Sequence, residues 1–249
     1  MTASAATGGP SHEVPTEHRR GVVPERYFRW RWGEITRLEA FCDVVFGFAI
    51  TLLVVSLEVP HTYGELMAGM RGFIPFALCF TQLVLIWRVH YKFSRRFGLE
   101  DSYTVFLNLV LLFLVLFFVY PLKFVSTRVF SQLTGSDIAQ GVGRSEASSL
   151  MRIYAAGFMA VFTLFALMYV HAYRLRNALG LSPGEALETR FAIQENAIMV
   201  AVGTISLALA VEYPWLAGWS YFVLGPALGI HGSVFGKPVR VLAAKLGTA

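Results

Sequence analysis

The sequence predicts an all-α integral membrane protein: a bundle of six transmembrane helices with no soluble domain. Three observations predict it. Hydrophobic residues make up 55% of the chain and charged residues 15%, against about a quarter charged in soluble proteins. The apolar residues gather into six runs, the longest of them matching the roughly 20 residues that cross a bilayer. The net charge of +5 sits in short basic clusters between those runs, the pattern of a topology signal rather than of a nucleic-acid surface. Strand-like alternation is absent, which excludes a β-barrel.

Residues 1–34 read as a tail. Its first part is rich in Ala, Thr, Gly, Pro and Ser, with no apolar core or cleavage site of a signal peptide, and reads as disordered. Its end is basic and aromatic (Arg26, Tyr27, Phe28, Arg29, Trp30, Arg31, Trp32), as expected of a belt at headgroup depth. Residues 35–235 form the membrane domain, and 236–249 a short C-terminal tail.

The first run opens with Arg37, Glu39 and Asp43, is uncharged over residues 44–57, and closes with Glu58 and Pro60. The second covers residues 73–89 and ends in Arg88, Lys92, Arg95 and Arg96. The third, residues 105–121, is the purest, ending at Pro121. The fourth, residues 155–170, is followed by Arg174 and Arg176; the fifth covers residues 197–211. The sixth, residues 215–230, is the weakest. Gly218, Gly225, Pro226 and Gly229 interrupt it, so it reads as a broken or tilted span. The polar stretch 127–149 reads as a loop.

Six spans put both termini on one side. With the termini in the cytoplasm, that side holds most basic residues, and the other keeps Arg71, Lys123, Arg128, Arg144 and Arg152. The asymmetry predicts cytoplasmic termini. Cys42 and Cys79 lie in apolar runs without metal-site spacing and read as packing residues.

Polar groups inside the runs are the candidate functional residues. In lipid they must find partners within the protein. Under this topology Arg37, Asp43, Trp87, His90 and Asn108 fall near the cytoplasmic ends of the first three spans and can share one network, structural or gating. Asp43 alone also has a plainer reading, as a carboxylate at the interface marking where its helix begins. Helical spacing puts Phe41, Phe48, Leu52 and Val55 on one face of the first span, with Thr51 at its margin. Such a face lines lipid, a core or a pore; in a pore, apolar rings gate by dewetting. The chain has no HExxH, no GxSxG and no paired carboxylates at bilayer depth, which argues against an enzyme. A proton-coupled transporter using Asp43, His90 and Glu195 is the alternative class to a channel.

The stretch RLEAFCD at residues 37–43 resembles the Arg-x-x-x-Phe-Ser-Asp signature that opens the first helix of the transmembrane protein 175 family, the lysosomal and bacterial potassium channels. The resemblance continues through AITLLVVSLEVP, WRVH at residues 87–90, and FLNLVLLF with YPL on the third run. It covers the first three spans by motif and the last three by hydropathy. It implies a six-helix subunit of the bacterial cell membrane, assembled as a homotetramer around a central potassium pore without cofactor or resident metal. The first helix would line the pore. The constriction would fall on Phe48, with Leu52 and Val55 deeper and Thr51 facing the pore. Arg37, Phe41, Cys42 and Asp43 would carry the signature, and Trp87, His90 and Asn108 would complete its interhelical network. The chain departs from the family where Cys42 replaces a serine and where Phe48 replaces the more usual Ile or Leu. It has no TVGYG-type filter.

Overall fold

The computed structural model describes residues 35–55, 59–135 and 143–236. The two terminal tails, apart from Gly236, lie outside the described residues, as do the basic aromatic belt and Ser56. All regular structure among the described residues is helical. In chain order the helices are α1 (Arg37–Val55), α2 (Tyr63–Arg71), α3 (Phe73–Phe97), α4 (Ser102–Thr134), α5 (Arg144–Arg174), α6 (Pro183–Glu212), α7 (Pro214–Trp219) and α8 (Leu224–His231). A 3-10 turn, Ser220–Val223, joins α7 to α8, and a π turn, Gly232–Gly236, follows α8.

Five helices among the described residues, α1 and α3 to α6, are long and apolar enough to cross a membrane. The sixth apolar run is in pieces. Pro214 opens α7, and Pro226 lacks the N–H that would bond the Phe222 carbonyl. The chain there tightens into the 3-10 turn rather than continuing as one α-helix.

Three expectations of length are corrected. The third run does not stop at Pro121: α4 passes through it to Thr134. One missing backbone bond is tolerated inside a helix that is otherwise packed. The expected loop over 127–149 is correspondingly shorter, because α4 uses its first residues and α5 begins at Arg144. The fifth run is the second half of α6, which starts at Pro183 behind a capping box: Ser182 Oγ accepts from Glu185 N at 3.2 Å, and Glu185 Oε2 accepts from Ser182 N at 2.9 Å. The short helix α2 has no counterpart among the expected runs. Its two glycines suggest a loop, but Thr62 and Glu65 supply the same reciprocal cap logic: Thr62 Oγ1 accepts from Glu65 N at 3.2 Å and Glu65 Oε2 from His61 N at 2.8 Å.

α5 and α6 form the most extensive pair. Their ends are tied where Ser148 Oγ donates to the Ala210 carbonyl at 2.6 Å and Arg144 to the Glu212 carbonyl at 2.7 Å. Phe93 and Phe97 of α3 meet Tyr169 of α5 edge-on, with centroids 5.3 and 5.8 Å apart. α1 packs on α4 and α3 through Cys42, Phe46, Ala49 and Leu53, all buried at 3–4 residue spacing.

α4 approaches α5 closely at Gly157. A Cβ there would stand 2.6 Å from Cδ2 of Phe118, and that ring is itself buried and stacked on Tyr154 at 5.3 Å. Gly157→Ala is therefore expected to destabilise the bundle by about 1–3 kcal/mol, read as a lowered unfolding midpoint in detergent. Adding Phe118→Leu should recover most of that loss.

Candidate functional site

α1 has two unlike faces. One is the buried stripe packed on α4 and α3. The other carries Phe41, Phe48, Thr51 and Val55, and the described residues leave it uncovered: Phe48 is 55% exposed and Val55 72%. Leu52 is half-buried, turned partly toward the packed side. Thr51 folds its hydroxyl onto its own helix, donating to the Gly47 carbonyl at 2.9 Å, which leaves no unsatisfied donor on that face. The exposed face carries no charge from Val44 to Val55.

The packed side holds the polar contacts. Trp87 Nε1 of α3 donates to Asp43 Oδ1 at 2.8 Å. One residue back on α1, the Cys42 thiol points at Asn108 Oδ1 of α4 at 4.0 Å, a weak contact. Asn108 Oδ1 also stands 2.8 Å from His90 Nε2 of α3. Asn108 Nδ2 donates to the Thr104 carbonyl at 2.9 Å, which fixes the amide orientation, so Oδ1 can only accept. His90 must then donate through Nε2. Its Nδ1 is left as a bare acceptor, buried without a partner among the described residues. The His90 ring lies against Phe46, with centroids 5.6 Å apart.

The same string of contacts continues to the start of α4. Thr104 Oγ1 donates to Asp101 Oδ1 at 2.6 Å and Thr104 N to Asp101 Oδ2 at 3.3 Å, an N-cap. His171 Nε2, near the end of α5, donates to Asp101 Oδ2 at 3.0 Å. Partial burial pushes the Asp101 carboxyl up, but the two Thr104 bonds and His171 outweigh it and hold the group below its ordinary 3.8.

The structure thus brings Cys42, Asp43, Trp87, His90 and Asn108 together. Arg37 and Phe41 lie on the exposed side of α1, and among the described residues no hydrogen bond or ion pair joins Arg37 to the others. Glu195 lies elsewhere, on α6 beside a cavity of about 240 Å³ with Lys92, Arg96 and Glu188. Sequence reasoning missed Glu39, Asp101 and Thr104. Glu39 is buried in the first turn of α1, opposed by Arg95 of α3. The spacings Thr36-x-x-Glu39 and Asp101-x-x-Thr104 are helix-start signals that mark these positions. Among the described residues no cluster of His, Cys, Asp and Glu could hold a metal ion.

A family model described as "Endosomal/lysosomal potassium channel TMEM175" matches residues 37–118, the stretch that contains α1, α3 and this network. A protein named "Potassium channel" from Marivirga tractuosa is 37% identical over 231 residues, 86% of this chain and 93% of that protein. The chain belongs to the TMEM175 family. That family is one of channels, not of enzymes. Among solved structures, the chain is similar to the potassium channel MtTMEM175, crystallised as a point variant in complex with a nanobody–MBP fusion protein. The TM-score is 0.74 at 35% identity, over 87% of this chain and 99% of that one. A homologue, from Chamaesiphon minutus, of the lysosomal potassium-selective channel TMEM175 shares the fold at TM-score 0.56 and 23% identity, over 78% of this chain and 95% of that one.

Two outcomes are expected from this geometry. Asn108→Leu strands the His90 donor and should cost about 1–2 kcal/mol. Adding His90→Leu should recover most of it; strictly additive losses in a denaturation double-mutant cycle would contradict the pairing. Because Asp101 has a depressed folded-state pKa, its contribution to stability is present above 3.8 and is lost as pH falls through the lower folded value. The stability gap between wild type and Asp101→Asn should therefore hold at neutral pH and close below 3.8 in pH-dependent unfolding scans.

Proposed function

We propose that this TMEM175 protein is a potassium-permeable, potassium-selective channel whose pore is lined by α1. The observation that carries the reading is the uncharged, uncovered face of α1. Among the described residues, Trp87 and Asn108 make polar contacts to the packed side of this helix, and Phe48, Thr51 and Val55 face outward. A homotetramer would turn that face inward and stack Phe48, Leu52 and Val55 as apolar rings. The resemblance of the signature and the potassium-channel names of the relatives support the same assignment.

In this reading the broken run through α7 and α8 is the sixth membrane segment, both termini are cytoplasmic, and the cell membrane is bacterial. Residues 35–235 are the channel domain, flanked by the two tails. Cys42, Asp43, Trp87, His90 and Asn108 hold the pore helix at a fixed rotation, and Arg37 and Phe41 of the signature lie on its exposed side. Selectivity comes from dehydration: apolar rings strip water from a passing ion, and sodium, being more strongly hydrated, is penalised more than potassium. The channel needs no cofactor, and potassium binds only in transit.

The test is a flux assay on purified protein in liposomes under an outward potassium gradient, with sodium and caesium in parallel. Potassium-favouring flux that is abolished by Phe48→Trp is the expected result. Exchanging Phe48 and Leu52 for Asn should flatten the potassium-to-sodium ratio; an unchanged ratio would sink the dehydration mechanism. Saturable, proton-driven uptake in place of passive flux would mark a transporter instead.

A further inference from the structure

An open groove of about 500 Å³ runs between α3, α5 and α8, with no residue of α1 in its lining. Its walls are largely apolar, with Phe118 from α4, Phe158 and Phe162 from α5, and Leu224 and Leu228 from α8. Along α3 it extends from Gln82 to Lys92. At 1.5 Å per residue that is about 15 Å, half of a hydrocarbon core about 30 Å thick. Its depth therefore matches one leaflet.

The two ends of the groove differ. At the mid-membrane end Gln82 Oε1 lies 3.5 Å from the Tyr154 hydroxyl. At the other end stand Arg88, which is exposed, and Lys92 one turn later. Among the described residues no carboxylate lines the groove. The acids nearby, Glu188 and Glu195, line an adjoining cavity that Lys92 also borders, and there Arg96 meets Glu188 at 3.7 Å; Arg88 borders the groove alone. Basic side chains at the end of a membrane helix ordinarily reach for the headgroup region on their own. Here they flank an apolar slot of one-leaflet length, and a cation pair over such a slot is complementary to an amphiphile with an anionic head.

We propose that this groove binds one anionic phospholipid per subunit, with its phosphate on Arg88 and Lys92 and an acyl chain against Phe158, Leu224 and Leu228. The site does not depend on the channel reading. An occupied groove would join α3 to α8, the broken segment that packs mainly on α6 and the adjoining turns.

The experiment is native mass spectrometry of the purified full-length protein, equilibrated with phosphatidylglycerol and phosphatidylcholine of identical acyl chains. Preferential retention of about one phosphatidylglycerol per subunit is expected. A basic residue near an anionic headgroup is worth about fivefold in binding, so Arg88→Gln with Lys92→Gln should cut the preference roughly tenfold or more. Arg88→Lys should keep it, and so should Arg174→Gln, an exposed cation at the same end of the bundle but outside the groove lining. Equal retention of the two lipids would overturn the proposal, as would an equal loss in Arg174→Gln. Glycerol phosphate displacing the lipid at matched concentration would reduce the site to an anion site and overturn the lipid assignment. Subunit cross-links between Leu85→Cys and Leu224→Cys would overturn it too, by showing a second copy in the groove.

Discussion

The carboxamide of Asn108 is the contact on which the arrangement of the first three membrane helices depends. A bilayer offers no water to a buried polar group, so each donor and acceptor must be met inside the protein. Asn108 meets this by dividing its two ends. The NH2 is committed to its own helix at the Thr104 carbonyl. The oxygen is thereby turned outward, to His90 on α3 and Cys42 on α1. One side chain thus ties α4 to α3 by a 2.8 Å hydrogen bond and touches α1 through a weak thiol contact. The Asp43–Trp87 bond does the same for α1 against α3 one residue further along. Apolar packing among Leu, Val and Phe does not discriminate between rotations in this way, because lipid tails are as apolar as the side chains.

A helix held on one side is free to use the other. The stripe Cys42, Phe46, Ala49 and Leu53 consumes the packed face of α1, and the polar contacts flank it. What remains is a face bearing Phe41, Phe48, Thr51 and Val55 that the described residues do not cover. The rest of the chain works as a platform behind it. Aromatic edges join α3 to α5, and hydroxyl and guanidinium donors close α5 on α6. Gly157 lets the Phe118 ring of α4 reach α5. Chain breaks are confined to α7 and α8, at the edge of the bundle, where Pro226 and the surrounding glycines keep the helix from continuing uniformly.

Much of the candidate site is legible in the sequence, for a physical reason. Asp43, His90 and Asn108 stand out because each is a polar group where a transfer penalty of a few kcal/mol should forbid it. Thr104 and Asp101 do not stand out, because a hydroxyl and a carboxylate at a helix start are ordinary capping residues. Their part in the string appears only once His171 of α5 is seen to arrive at the same carboxylate. Glu39 is overlooked for a similar reason: near a helix end a carboxylate is expected to reach water, and burial against α3 is a tertiary event.

The sequence by itself determined the class: helical and membrane-embedded, with a signature at the head of the first of six apolar runs, five of which the structure forms as helices long enough to span. Hydropathy and charge act locally, residue by residue, so they can be read without a structure. Hydropathy underestimates helix length, since α4 runs through Pro121 and α6 begins well before its apolar half. It reports where a helix meets lipid, whereas caps and packing decide where it starts and stops. Only the tertiary structure decided which side of α1 is covered, which nitrogen of His90 bears the proton, and that Arg88 and Lys92 flank a groove. Each of these depends on what a second helix brings to the same point in space.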